Sequence, residues 1–501
     1  MSNMRVEVVT GPVRYRWTPL LGLIALAMVP VVALSALLVW SDGQADEHEA
    51  AVDGNAAAPV PVAPSPSAVT PALTTSLFSY RRAPASMADA GNDNQLSDQM
   101  DQLAAFIDER SCLAVSVDGR PVTAHNVDAA VIPASTQKLF IAAVALEVLG
   151  ADHRFTTTVQ APPAVDGEID GDLFLVGGGD PLLVSTDFPT DDDRFPEFNT
   201  TPLDDLADAV VAAGVTSVRG SVVGDGSRYD DEFVNPAWGS DVAFVEAGPY
   251  DALVVNDSRV RGRSGRQGDP NAAAAREFAR LLSDRGVRVS NGWESGVADP
   301  ALPVVATIES QPLDAVIAEM LTTSDNDTAE MLVKELGVAD GGVGTVAAGL
   351  DVVDRTLRSW GVPMDGVNLV DGSGLSSENR ATCGSMLAVL QRMEGTAVAS
   401  GLPVAGRSGT LEDAFVGTSM EGRLTAKTGT LGNPPVDLDP PAAKGLAGYL
   451  GATSGDTIEF VMLLNSPDID EPENYAPFWL ALGERLDSYP DGPAMSTVGP
   501  R

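Results

Sequence analysis

Apolar residues recur at helical spacing over residues 94–110 (Leu96, Met100, Leu103, Phe106, Ile107), which predicts an amphipathic helix. Residues 112–117 alternate as a strand does, and Asp118-Gly119 behind them is a turn signal. Residues 135–149 read as a helix that is apolar on almost every side, which predicts full burial, and Gly150 closes it. The texture then changes. Short apolar runs at 173–176 and 221–223 sit among many glycines, with helical patterns at 202–213 and 271–285. A helical pattern returns over 313–336, 411–465 reads as strands and 476–486 as a closing helix. The pattern predicts a helix-and-sheet domain, residues 93–156 and 313–490, interrupted by a β-rich inserted domain at 157–312 and followed by a tail at 491–501. No internal repeat is evident.

The N-terminus is different again. Residues 20–40 carry no charge, and at about 1.5 Å per residue such a helix spans roughly 30 Å, the thickness of a bilayer core. Trp17 and Trp40 bracket it; Arg5, Arg14 and Arg16 precede it, and Asp42, Asp46, Glu47 and Glu49 follow. That asymmetry places the N-terminus in the cytoplasm and everything after Trp40 outside. Residues 1–43 are therefore expected to be a cytoplasmic stub and transmembrane signal-anchor, giving a single-pass protein of the cell membrane. The alternative is a cleaved signal peptide and a secreted protein. Residues 44–92, with Pro59, Pro61, Pro64, Pro66 and Pro71 among alanines, read as a semi-extended linker.

Composition narrows the chemistry. The chain has 501 residues, 31 Lys+Arg against 70 Asp+Glu and a net charge of −39, which makes nucleic acid a poor partner. Only four of the basic residues are lysines: Lys138, Lys334, Lys427 and Lys444. No Cys or His pair falls at zinc-ligand spacing, and neither a metal nor a cofactor is expected. The last histidine is His153, so a His-based triad would have to use His125 or His153, and both read as surface or structural residues. Outside the cell, Cys112 on a strand and Cys383 at a helix start are either a disulfide or two buried thiols.

Three motifs carry chemistry. Ser135-Thr136-Gln137-Lys138 opens the buried helix, and its i, i+3 spacing puts serine and lysine on one face. A lysine desolvated there has a lowered pKa and can take the serine's proton, which activates a nucleophile without histidine. Ser324-Asp325-Asn326 lies at a polar break before a helix; taken alone it is also an ordinary helix cap. Lys427-Thr428-Gly429 sits in a stretch, 423–431, that reads as a strand, where lysine and hydroxyl can bind a carboxylate and the glycine leaves room for a substrate backbone. Chance supplies roughly 0.3 matches to the first motif and only about 0.02–0.03 to the third, so their joint occurrence in this order decides the reading.

S-x-x-K, S-D-N and K-T-G in that order mark active-site serine penicillin-binding proteins and β-lactamases. Over about residues 95–490 the chain resembles the low-molecular-mass class C penicillin-binding proteins, which act as D-alanyl-D-alanine carboxypeptidases and endopeptidases. Further segments share the likeness: Gly171-Asp172-Leu173, Gly177-Gly178-Gly179-Asp180-Pro181, Gly224-Asp225 with Trp238, Asp371-Gly372-Ser373-Gly374-Leu375, and Gly409-Thr410-Leu411. The resemblance implies an α+β, transpeptidase/β-lactamase-like fold split by a long insertion. It implies Ser135 as nucleophile, Lys138 as general base, Ser324 as proton relay to the leaving D-alanine, and Asn326 as a contact for the acyl-side amide. It implies Lys427 and Thr428 at the terminal carboxylate, with Gly429 beside them, and backbone N–H groups of Ser135 and Thr430 as the oxyanion hole. Its partners would be peptidoglycan stem peptides and β-lactam antibiotics. A β-lactamase and a catalytically degenerate wall scaffold are the alternatives. Two departures stand out: residues 260–269 are short, so a nested third domain would be reduced, and 432–444 extends the turn after the K-T-G strand.

Overall fold

The computed structural model describes residues 83–189, 195–239, 242–432 and 439–490. The apolar segment at 20–40, most of the 44–92 linker, residues 433–438 of the 432–444 extension and the 491–501 tail lie outside these residues. Among the described residues, no single helix is long and apolar enough to cross a membrane.

In chain order the α-helices longer than one turn among the described residues are α1 (Ala83–Ala104), α2 (Lys138–Leu149), α3 (Leu203–Ala212), α4 (Pro270–Asp284), α5 (Leu313–Thr323), α6 (Asn326–Gly341), α7 (Val346–Ser359), α8 (Cys383–Met393) and α9 (Pro472–Asp487). The strands that matter here are β1 (Cys112–Val117), β2 (Arg120–His125), β3 (Thr156–Gln160), β4 (Leu173–Val176), β5 (Val222–Asp225), β6 (Trp293–Ser295), β7 (Val304–Glu309), β8 (Leu424–Leu431), β9 (Ala443–Gly451) and β10 (Thr457–Asn465).

The first and last parts of the sequence meet in an antiparallel sheet of order β8-β9-β10-β1-β2. The period-2 alternation of its strands serves two cores at once. Leu113, Val115 and Val117 of β1, with Phe460, Met462 and Leu464 of β10, face Leu96, Met100 and Leu103 of α1 and Trp479, Leu482 and Leu486 of α9. Cys112, Ala114, Val461 and Leu463 face the opposite core, built on α2 with α5, α6, α7 and α8. Burial on both faces explains why β10 reads as a nearly unbroken apolar run. It also explains α2, whose residues Leu139 to Ala145 have no exposed surface. Cys112 and Cys383 form a disulfide, so the central strand β1 is tied to the first residue of α8.

Helix α1 begins at Ala83, inside the stretch read as linker, and ends at Ala104. Phe106, expected on its buried face, is 77% exposed because the helix stops before reaching it. The 313–336 pattern is two helices, since Ser324 takes the left-handed conformation (φ 69°) between α5 and α6.

The insertion holds a five-stranded sheet of order β6-β5-β4-β3-β7. Strands β4, β5 and β6 are mutually parallel, and α3 and α4 connect them on the way from one strand to the next. The β-rich texture is thus partly a βαβαβ unit, the only way short parallel strands can be joined compactly. Residues 260–269 form a loop closed by a bridge between Arg259 and Arg266, without a further helix or strand.

The insertion grips α6. Tyr229, Trp238 and Tyr250 share a core with Met331. Glu335 receives bonds from Arg228 at 2.6 Å and Tyr229 at 3.0 Å, while Asp327 accepts from Gly248 N at 2.6 Å and pairs with Arg266. Lys334 is structural: it pairs with Asp230 at 2.6 Å and lies over the Tyr250 ring. The insertion therefore holds α6, and with it Asn326 at its head, in place.

Candidate active site

Ser135 sits in a single 3-10 turn, Ala134–Gln137, that leads into α2. The preceding Ala134 has φ 47°, a conformation costly for a residue with a side chain and sustained only where the surroundings enforce it. Those surroundings are Asp371-Gly372-Ser373-Gly374. A side chain on Gly374 would come within 2.1 Å of the Ala134 carbonyl oxygen, so only glycine lets the two backbones meet. Asp371 accepts hydrogen bonds from Trp238 Nε1 (2.9 Å), Gly374 N (2.8 Å), Ser376 N (2.7 Å) and Asn379 Nδ2 (2.8 Å), and also from the Gln137 side chain. Glu330 of α6 accepts from the N–H groups of Gly372 and Ser373.

Lys138 is fully buried at the start of α2. Its Nζ donates to Ser135 Oγ at 2.9 Å, to Asn326 Oδ1 at 2.8 Å and to the Ser373 carbonyl at 2.7 Å. Burial pushes its pKa down to about 8, against the opposing pull of Asp325, Asp371, Glu330 and Asp327. Asn326 is held at its other end by donating to the Glu246 carbonyl of the insertion at 2.9 Å.

A second lysine–serine pair lies alongside. Lys427 Nζ donates to Ser324 Oγ at 2.7 Å and to the Thr428 carbonyl at 3.1 Å. Lys427 is completely buried, and burial together with the nearby Lys138 charge drives its pKa well below that of a free lysine. Asp325, between the two S-D-N residues, caps α6 by accepting from Thr328 N.

Strand β8 closes the site as an edge of its sheet. Its first half is covered: Ala405 N bonds Leu424 O and Ala426 N bonds Pro403 O. Backbone groups of an antiparallel strand point to alternate edges, so the N–H groups of Thr428 and Thr430 also point away from β9, towards Ser135. Thr428 Oγ1 bonds Thr410 Oγ1 at 2.8 Å. Gly429 meets a constraint beyond the one its motif suggested. A Cβ there would lie 2.7 Å from the Pro133 carbonyl oxygen and 3.1 Å from Thr136 N, so the missing side chain makes room for the nucleophile's own turn.

Ser135, Ser324, Asn326, Thr428 and Thr430 all line one cavity of about 720 Å³, walled by aromatic residues including Phe415, Tyr475 and Trp479. The structure therefore brings together every residue singled out in the three motifs. His153 instead packs edge-on against Phe155, and His125 lies at the end of β2 beside Asn126. Three contributors were not singled out: the Ser373 carbonyl, Asp371 and Glu330. The Asp-Gly-Ser-Gly segment was visible, but a carbonyl acceptor leaves no side-chain signature, and Glu330 reads as an ordinary helix residue.

Comparison with known proteins agrees with this geometry. The chain matches the D-Ala-D-Ala carboxypeptidase 3 (S13) family over residues 95–269 and 258–477. It is 31% identical over 411 residues to a D-alanyl-D-alanine carboxypeptidase of Actinomadura sp., covering 65% of this chain and 72% of that one. It is 29% identical over 473 residues to a carboxypeptidase of Mycobacterium tuberculosis, covering 91% and 95%. The crystal structure of penicillin binding protein 4 from Haemophilus influenzae superposes with a TM-score of 0.64 at 20% identity, over 77% of this chain and 98% of that one, so the two share a fold. Two thirds or more of each of these relatives is spanned, and the family model covers most of the folded part. The chain belongs to the D-Ala-D-Ala carboxypeptidase 3 (S13) family of peptidases.

Proposed function

We propose that this protein is a serine-type DD-peptidase that cleaves the terminal D-alanyl-D-alanine bond of peptidoglycan stem peptides, and that β-lactams acylate the same serine. The observation that carries the reading is the pairing of two buried lysines with two serines around one cavity, Lys138 with Ser135 and Lys427 with Ser324. It is supported by family membership and by the relatives' names.

Neutral Lys138 takes the Ser135 hydroxyl proton as Oγ attacks the carbonyl carbon of the penultimate D-alanine. The oxyanion forms against the N–H groups of Ser135 and Thr430, which are fixed before reaction by the 3-10 turn and the sheet edge. As the C–N bond breaks, the leaving amine takes a proton from Ser324, whose hydroxyl is resupplied through its bond to Lys427. D-Alanine leaves an ester on Ser135. Water then attacks the ester carbonyl, giving up a proton through Ser324 that restores Lys427, and as the ester C–O bond breaks Ser135 recovers its proton from Lys138. A β-lactam undergoes the same attack, but its leaving nitrogen stays tethered to the acyl group. The substrate's main chain adds to the open edge of β8 as a further strand.

The uncharged segment at 20–40 would hold this domain on the outer side of the membrane, where peptidoglycan lies. Alkaline extraction of membranes tests that placement: a protein released into the supernatant would contradict a signal-anchor. The activity is tested by digesting purified, cross-linked peptidoglycan. Release of D-alanine or loss of cross-links is expected from the wild type and not from Ser135→Ala, whereas undiminished release by the variant would refute the assignment.

A further inference from the structure

Lys444 belongs to none of the three motifs, yet it lines the same cavity as Ser135. It lies on β9 directly opposite Thr430, and its Nζ donates to Thr430 Oγ1 at 2.8 Å. Its ammonium stands 4.0 Å from the centre of the Tyr475 ring and 5.1 Å from that of Trp479, both on α9. Two aromatic faces stabilise a cation in a desolvated place and fix its position.

Sheet geometry decides which lysine shares a face with which hydroxyl. Residues i and i+2 of a strand, and residues directly opposite on neighbouring strands, point to the same side. Thr428, Thr430 and Lys444 therefore project from one face of the sheet, the face that α9 covers. Lys427 and Gly429 project from the other face, towards the nucleophile turn. There Lys427 spends its Nζ on Ser324 Oγ and the Thr428 carbonyl. Burial and the nearby Lys138 charge lower its proton affinity, which suits it to hand a proton to Ser324.

We propose that Lys444, together with the hydroxyls of Thr428 and Thr430, reads the C-terminal carboxylate of the substrate, and that Lys427 serves the proton network instead. This inference rests on the DD-peptidase reading and adds to it Lys444 as the residue that sets the preference for a free C-terminal carboxylate. An ammonium bonded to Thr430 Oγ1, on the sheet face it shares with Thr428, offers charge and a hydrogen bond to one carboxylate group. The positioned cation also gives the site a reason to reject a C-terminal amide, which would bring an N–H donor against an ammonium.

The test uses a pair of thioester substrates whose acyl part ends in D-alanine and whose leaving group ends in either a carboxylate or a carboxamide. Thioesters are activated enough for both rates to be read by thiol release. The wild type is expected to prefer the carboxylate. Lys444→Gln keeps a group able to bond Thr430 but loses the charge. It is expected to lose about tenfold or more in kcat/KM on the carboxylate substrate, mainly through KM, with little change on the carboxamide. Lys444→Arg should retain most of the preference, which separates lost charge from damaged packing. Lys427→Gln should lower kcat on both substrates alike. Lys444→Gln keeping the wild-type preference would overturn the proposal, as would an equal loss on both substrates. A wild type unable to release D-alanine from a D-Ala-D-Ala peptide would instead overturn the DD-peptidase reading, and this inference with it.

Discussion

The lowered pKa of Lys138 makes a quantitative claim about rate against pH. A free lysine titrates near 10.5, whereas burial brings Lys138 to about 8. That shift corresponds to about 3 kcal/mol of lost preference for the charged form. At pH 7 it leaves roughly one-tenth of the enzyme with a neutral base, against about one part in 3,000 for an unperturbed lysine. The structure supplies the cause, because Lys138 has no exposed surface and exchanges water for three oxygen acceptors. Acylation by a fluorescent penicillin, measured as a second-order rate constant from pH 5.5 to 9.5, should therefore rise about tenfold per pH unit at first and level off near pH 8. Lys138→Arg, whose guanidinium stays protonated throughout this range, should abolish acylation while leaving the fold intact. A rate independent of pH between 6 and 9, or one still climbing steeply above pH 9, would refute Lys138 as the base.

Four further outcomes follow from the same structure. Gly429→Ala places a methyl 2.7 Å from the Pro133 carbonyl oxygen, and is expected to cut penicillin acylation by about a hundredfold by displacing β8 from the nucleophile turn; an unchanged rate would contradict that geometry. Burial raises the pKa of Asp325 to about 7 and of Glu330 to about 8, so the folded chain holds protons that the unfolded chain has released between about pH 4 and pH 8. Stability should accordingly fall as pH rises through that window, and thermal scans showing a midpoint that climbs from pH 5 to pH 8 would be inconsistent with it. Replacing both cysteines of the Cys112–Cys383 disulfide by alanine should cost about 2–5 kcal/mol, read as a lower unfolding midpoint under non-reducing conditions. The net charge of −39 implies self-repulsion, so sodium chloride up to about 1 M should raise the midpoint; a decrease would assign the stability to ion pairs instead.

How legible the site was in the sequence depended on whether its chemistry was local. Ser135 and Lys138 are one helical turn apart, so their contact is written in their spacing. The same holds for Lys427, Thr428 and Thr430, which share a strand. Contacts that span the chain were not legible. Lys138 to Ser373 crosses 235 positions, and Lys444 to Thr430 depends on the register of β8 against β9. A second constraint on Gly429 was not legible for that reason, since the backbone its missing side chain makes room for lies almost three hundred residues earlier, at Pro133. In the fold, α2 was recognisable because it is apolar all round, and β1 because it alternates before a turn. The split between α5 and α6 was legible as the polar break at Ser324-Asp325-Asn326, whereas the left-handed conformation of Ser324 that makes it was not, because local preference opposes it. The parallel pairing of β4, β5 and β6 was invisible: strands of three or four residues carry no record of their partners, and only the helices between them hint at a crossover.

The most direct measurement is the identity of the acylated residue. Purified protein is incubated with benzylpenicillin and, separately, with a D-Ala-D-Ala thioester, then denatured, digested and mapped by mass spectrometry. The expected result is one adduct from each reagent, both on Ser135 in the peptide containing Ala134-Ser135-Thr136-Gln137-Lys138, and neither in Ser135→Ala. An adduct on any other residue, or hydrolysis of the thioester by Ser135→Ala at the wild-type rate, would contradict Ser135 as the nucleophile.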